Sequence, residues 1–162
     1  MWMKKIKDIC AISRGKVYSK KYIFSNKGKY PLYSSNTLQN GELGKINTYD
    51  YDGSYVSWTT DGANAGTIFY REGKFSITNI CEILKPLDEK QINTKFLSYI
   101  LSTISKKYVN QGLGNPKLMS NVMENIEIPI LPIEVQKEIV EILDKLSSYI
   151  DELITNFSKK LS

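Results

Sequence analysis

The chain has 162 residues, 41% hydrophobic and 24% charged, with 22 Lys/Arg against 17 Asp/Glu, two cysteines and no histidine. That length buries a core without disulfide or metal staples, and no apolar run approaches the roughly 20 residues of a bilayer span. The missing histidine removes Ser–His–Asp and Cys–His nucleophile pairs and the commonest zinc ligand, so neither catalysis nor a metal site is expected.

The N-terminus, Met1–Lys5, is basic but has no apolar stretch behind it, so no signal peptide is read and a cytoplasmic location is expected. Residues 1–30 hold nine Lys/Arg against Asp8 alone, whereas residues 31–90 are net acidic. The positive field is thus concentrated where a surface could face phosphates.

From there to about residue 85 the text is strand-like and broken by glycine. Asn26-Lys27-Gly28, Asn40-Gly41, Asp52-Gly53, Asp61-Gly62 and Glu72-Gly73 read as turns, with strands at Tyr30–Tyr33, Tyr55–Thr60, Thr67–Tyr70 and Phe75–Leu84. Neither face of the last strand is cleanly polar, so it is expected to be buried. Cys10 and Cys81, each flanked by isoleucine, read as reduced, buried small hydrophobes.

The period then changes. With Asn93 or Thr94 as N-cap, Phe96, Leu97, Ile100, Leu101, Ile104 and Tyr108 form one helical stripe. Asn115-Pro116 is expected to open a short helix through Met123. Ile126, Ile128 and Ile130 alternate as a last strand returning to the sheet, with Pro129 confining it to an edge or an end. After Pro132 one long helix is expected. Val135, Ile139, Ile142, Leu146, Tyr149 and Leu153 mark a coiled-coil seam that drifts toward Phe157 near its end. About 30 residues make roughly 45 Å of helix, more than one small domain covers, so a partner helix is expected. The predicted class is α+β: a β-rich domain with short helices at 1–131, followed by one long C-terminal coiled-coil helix at 132–162.

Two glycine-rich stretches invite functional readings. Gly112-Leu113-Gly114-Asn115-Pro116 lacks the third glycine and the preceding strand of a phosphate loop. Asp50, Asp52 and Asp61 near Tyr49, Tyr51 and Trp58 could suggest a sugar groove, although aspartates in such turns mostly bond nearby backbone. The segment Trp58–Gly66 differs: it is a polar loop of small residues in which Thr60, Asp61 and Asn64 can meet base edges. Ser34, Ser35 and Asn36 form a similar polar tip. Lys16, Tyr18, Lys20 and Lys21, with Gln111 and Lys117 further on, complete a candidate DNA surface in which cations hold phosphates and loops inspect bases.

Several of these stretches resemble the specificity subunits of type I restriction-modification enzymes. They are Trp2, Ile6, Ile9 and Gly15 at the start, Gly28-Lys29-Tyr30-Pro31-Leu32-Tyr33, Asp61 to Ile68, and Gly73 to Phe75. The most specific is Ile128-Pro129-Ile130-Leu131-Pro132-Ile133-Glu134-Val135-Gln136-Lys137-Glu138-Ile139-Val140, similar to the family's junction between a target recognition domain and a long helix. The resemblance implies a non-catalytic DNA reader, one half of a two-domain pattern. Its partners would be double-stranded DNA, methyltransferase subunits that bind S-adenosylmethionine, restriction subunits through them, and a second half-subunit or second copy paired through the helix. The rival readings are a module that binds the methyltransferase without reading DNA, and a sugar-binding module using Trp58 and the tyrosines.

Overall fold

The computed structural model describes residues 2–161. Chain order is β1 (Trp2–Lys5), α1 (Ile6–Ile9), β2 (Cys10–Arg14), α2 (Lys20–Ser25), β3 (Lys27–Tyr33), β4 (Glu42–Ile46), β5 (Tyr51–Thr59), β6 (Ile68–Ile77) and β7 (Cys81–Pro86), then α3 (Thr94–Ile104), α4 (Ser120–Met123), β8 (Glu127–Ile130) and α5 (Ile133–Leu161). The class is the mixed helix-and-sheet architecture expected, ending in one long helix.

Six strands form a sheet in the order β2-β7-β5-β6-β3-β4, antiparallel except for the β3–β6 pair. Both faces are covered, which explains why no strand alternates cleanly between apolar and polar. On one face Val56, Trp58 and Leu84 pack with Leu97 and Leu101 of α3, with Ile6 and Ile9 of α1, and with Met123 and Ile128. On the other, Phe75, Ile77, Cys81 and Ile83 pack against Tyr33, Tyr51 and Tyr55. The Phe75 ring lies 5.5 Å from Tyr51 and 5.6 Å from Tyr55. Trp58 is wholly buried and donates its indole N–H to the Leu118 carbonyl at 2.8 Å. Trp58 is therefore core, and Tyr51 and Tyr55 pack on Phe75, which removes the sugar-groove reading built on them.

Several expected elements are placed differently. Asp52-Gly53 and Glu72-Gly73 are not turns: Gly53 pairs with Gly73 inside the β5–β6 ladder, at φ of +134° and +91°. Glycine lets both strands take a backbone that side chains resist, so the strands twist and continue. The single strand expected from Phe75 to Leu84 is two, because Cys81 N–H bonds to the Thr78 carbonyl and closes a turn at Thr78–Ile80. Asn115-Pro116 opens no helix. Lys117 and Leu118 are instead drawn into extended bonds with Asn110 and Thr60, and α4 begins only at Ser120. The strand at Glu127–Ile130 does not rejoin the main sheet; it pairs with β1 alone, with Pro129 opposite Met3.

α3 starts where its sequence says it should, with the Asn93 side chain accepting the Phe96 N–H at 2.9 Å. α5 is fixed only at its root. Gln136 is fully buried there; its Oε1 accepts the Asn93 N–H at 2.9 Å, and its Nε2 donates to the carbonyls of Gln91 at 2.9 Å and Leu131 at 2.8 Å. Two turns later Asp144 accepts Lys95 Nζ at 2.9 Å and the Tyr99 hydroxyl. From residue 145 onward every described residue is exposed, roughly 25 Å of helix standing clear of the domain.

Candidate nucleic-acid interface

Three loops far apart in sequence meet at one end of the sheet. The first, Ser34–Gly41, joins β3 to β4; the second, Thr60–Thr67, joins β5 to β6; the third spans Val109–Leu118 between α3 and α4. Asn64 Nδ2 donates to the Ser35 carbonyl at 2.8 Å, tying the first loop to the second. Gly62 N–H donates to the Pro116 carbonyl at 3.0 Å, and Leu118 N–H to the Thr60 carbonyl at 2.8 Å, tying the second to the third. Asp61 and Lys117 form an isolated antiparallel bridge at the same seam.

The second loop is also held from beneath. Ser105 Oγ donates to the Gly66 carbonyl at 2.7 Å, and Lys106 Nζ to the Ala65 carbonyl at 2.8 Å. Both donors follow directly on α3, so that helix braces the loop. Residue types at the loop surface are amides, hydroxyls and lysine, with few acids. Such a set donates and accepts hydrogen bonds along base edges and attracts phosphate.

The expected site residues divide into three groups. Ser34, Ser35, Asn36, Asp61, Asn64, Gln111 and Lys117 all lie in the three joined loops. Asn36, Gln111 and Lys117 are exposed; Ser34, Ser35, Asp61 and Asn64 are half-buried. Part of Asn64's hydrogen-bonding capacity is spent on Ser35. Thr60 is a correction. Its side chain is wholly buried and its backbone is locked to Ile80 and Leu118, so it supports the loop and offers nothing at the surface.

The basic group sits beside this cluster. Lys16 pairs with Thr78 in a parallel bridge, and Thr78 Oγ bonds to Ser34 Oγ at 3.0 Å, so the Lys16 backbone adjoins the first loop. Its Nζ, however, is held by Asp50 Oδ1 at 2.7 Å, and the Tyr18 hydroxyl donates to the other oxygen of Asp50. Burial pushes the Asp50 carboxyl up, but the hydrogen bonds from Lys16 and Tyr18 outweigh it and leave the group below the usual carboxylate range. Burial and the bond to Asp50 push the Tyr18 phenol up to about 12, so it stays a donor. Lys20 and Lys21 are exposed on α2, which lies along β4 rather than among the loops. Sequence reading missed Asp50 as a partner of Lys16, since 34 residues separate them. It also missed Lys106; its place directly behind the α3 stripe was the available hint.

The chain matches the family profile of the type I restriction modification DNA specificity domain over residues 1–162. It belongs to this family. A Mycoplasma pneumoniae protein described as putative type I specificity subunit S.MpnORF289P N-terminus is 49% identical over 140 residues, covering 86% of this chain and 74% of that protein. The type I restriction enzyme MpnII specificity subunit of the same organism is 43% identical over 149 residues, covering 92% of this chain and 44% of that protein. The crystal structure of the S subunit from M. genitalium superposes at a TM-score of 0.78 with 16% identity, covering 95% of this chain and 41% of the solved one. The HsdS subunit from Thermoanaerobacter tengcongensis gives 0.70, covering 94% and 38%. The specificity-domain fold is therefore shared. The chain spans less than half the length of the MpnII relative and of both solved subunits.

Proposed function

We propose that this chain is the sequence-reading unit of a type I specificity subunit. Its three joined loops inspect the base edges of one half of a split DNA site. Lys16, Lys20, Lys21 and Lys117 hold flanking phosphates. The observation that carries this reading is the convergence of Ser35–Asn36, Asp61–Asn64 and Gln111–Lys117 on one end of the sheet, tied together by the Asn64 side chain and by backbone hydrogen bonds. No transfer chemistry is assigned to this chain. Methyl transfer falls to methyltransferase subunits that carry S-adenosylmethionine, and restriction subunits join through them, in the cytoplasm.

The exposed part of α5 supports a second element of the proposal. Ile142, Leu146, Tyr149, Leu153 and Phe157 are each half or more exposed, an apolar stripe without cover on this chain. Val135 and Ile139, nearer the root, continue it. Such a stripe pairs with another long helix, from a second copy or from a second half of the same subunit. A helix of 29 residues is about 44 Å long, which sets two reading units a little over one DNA turn of about 34–36 Å apart.

Sequencing of methylated positions in cells that carry the whole system tests both elements. A split motif is expected, and substitutions at Asn36, Asn64 or Gln111 are expected to change one half of it. Alanine at Lys16, Lys20 and Lys21 is expected to weaken binding to every duplex and flatten its salt dependence. A single unsplit motif, or one indifferent to all three loops, would refute the proposal.

A further inference from the structure

Arg71 is a buried cation without a carboxylate. It lies on β6 with 2% of its surface exposed, and no ion pair among the described residues includes it. Burial brings its pKa down to about 10, so it remains charged at neutral pH. The guanidinium carbon sits 3.5 Å from the centre of the Tyr33 ring and 4.2 Å from that of Phe69, sandwiched between two π faces. Nε donates to Ser57 Oγ at 3.1 Å, inside the sheet. Nη1 donates to the carbonyl of Asn40 at 2.6 Å, outside it.

That last bond reaches an unusual stretch of chain. Gln39, Asn40 and Gly41 follow one another with φ of +51°, +57° and +78°. Left-handed backbone is costly for a side chain such as glutamine, and three such residues in a row do not persist unaided. Here the turn folds Gly41 back so that its carbonyl accepts the Ser34 N–H at 2.9 Å and closes the neck of the first loop. Asn36 Oδ1 caps the Leu38 N–H at 3.0 Å within it. A desolvated charge with no counter-ion is an expensive way to hold a sheet together, and an apolar residue would fill the same space. A rigid fork that reaches a strained carbonyl is what only arginine supplies.

We propose that Arg71 is a positioning residue for base discrimination: from inside the sheet it fixes the left-handed turn Gln39–Gly41, and so the shape in which Ser35 and Asn36 meet DNA. The proposal rests on the reading of the three loops as the DNA surface. Arg71 itself touches no nucleic acid, so it acts on selectivity and leaves the electrostatic part of binding alone.

The test uses the full chain assembled with its methyltransferase subunits. The probes are the duplex that the wild-type assembly enriches from a randomised pool, and the same duplex scrambled in one half-site. Arg71→Lys keeps the charge but loses the fork; a thermal melt confirms that it folds. Its affinity for the enriched duplex is expected to fall about tenfold, the free-energy equivalent of about 1.4 kcal/mol. Affinity for the scrambled duplex and the salt slope should stay as in wild type. Asn40→Gly relieves the strain that Arg71 holds in check, so adding it to Arg71→Lys is expected to recover part of the lost discrimination. Undiminished discrimination in a folded Arg71→Lys assembly overturns the proposal. So does a parallel loss on both duplexes with a flatter slope, since that would make Arg71 a phosphate contact. Should Ser35→Ala and Asn36→Ala also leave discrimination untouched, the fault lies in the assignment of the loop as a reader. Where Arg71→Lys fails to fold, Asn40→Pro, which cannot adopt positive φ, must reproduce the loss of discrimination, and its failure to do so overturns the proposal.

Discussion

Replacing Gln136 by leucine keeps the side chain near its size and removes three hydrogen bonds at a fully buried point. The Asn93 N–H and the carbonyls of Gln91 and Leu131 would each lose their partner at 2.8–2.9 Å. At about 1 kcal/mol net for each bond, the loss is about 3 kcal/mol, a large share of the stability of a domain this size. The loss acts at the root of α5, where the remaining anchor is Asp144 with Lys95 and Tyr99. Lys95 and Asp144 are each 37% exposed, and an ion pair so open to water contributes little. Urea unfolding should show a lower midpoint, and hydrogen exchange should locate the loosening at Gln91–Asn93 and the first turns of α5 before the sheet. Gln136→Glu adds a pH test. One oxygen of the carboxylate would keep the Asn93 N–H, but the other would face the carbonyls of Gln91 and Leu131 with no proton to donate, so the folded pKa lies above the unfolded value of about 4.3. Its penalty is therefore full at neutral pH, eases as pH falls through the folded pKa, and is gone below the unfolded one. A leucine variant that loses less than about 1 kcal/mol, or loosens in the sheet first, would refute the assignment of Gln136 as the latch of the helix.

Three further outcomes are expected. Asp50→Asn removes the carboxylate that competes with phosphate for the Lys16 ammonium, so affinity for any duplex should rise; an unchanged affinity across a salt titration would show that Lys16 lies away from phosphates. Burial pushes the Cys10 thiol up to about 12 and Cys81 to about 11, although Arg71 draws Cys81 partly back. Neither should react with a thiol reagent at pH 8 until the protein is unfolded, and rapid labelling of the native chain would contradict this. Leu146→Lys with Leu153→Lys places charge on the stripe of α5, so light scattering should show the helix-paired species replaced by single chains while the melting temperature holds; an unchanged mass would remove the stripe as the pairing surface.

The parts of this fold that follow from local pattern were legible. α3 announces itself through its N-cap and stripe, and α5 through its seam. What failed was wherever tertiary pairing overruled a local rule. Gly53 and Gly73 have the residue chemistry of turns, yet facing each other in a ladder they serve two continuous strands. Pro116 suits the first position of a helix, yet Lys117 and Leu118 beside it are claimed by Asn110 and Thr60. The β1–α1–β2 start and the pairing of β1 with β8 join the two ends of the domain, which no window of a sequence can display. For the candidate site, the residue types drew attention to loops of amides and lysines that the structure brings together at one end of the sheet. The supports did not show, because Arg71, Asp50 and Ser105 act across 31 to 39 residues of chain.

α3 connects the two halves of the proposed function. Its N-cap and first two turns hold the helix root through Asn93, Lys95 and Tyr99, and the residues that follow its last turn, Ser105 and Lys106, hold the second loop. Its 11 residues are about 16 Å of rigid rod packed on the sheet through Phe96, Leu97 and Leu101. The position of the loops relative to α5 is thus fixed by a helix rather than by a linker. A recognition unit built this way can change the bases it reads by altering loop tips such as Asn36 and Gln111 without moving α5. It can also change the spacing between half-sites by altering the length of α5 without disturbing the loops. The two properties separate because the bonds that define each act at opposite ends of α3. A substitution that weakens α3 packing, such as Leu101→Ala, is then expected to blur spacing and sequence preference together, whereas changes at the loop tips or along the exposed helix affect one and spare the other.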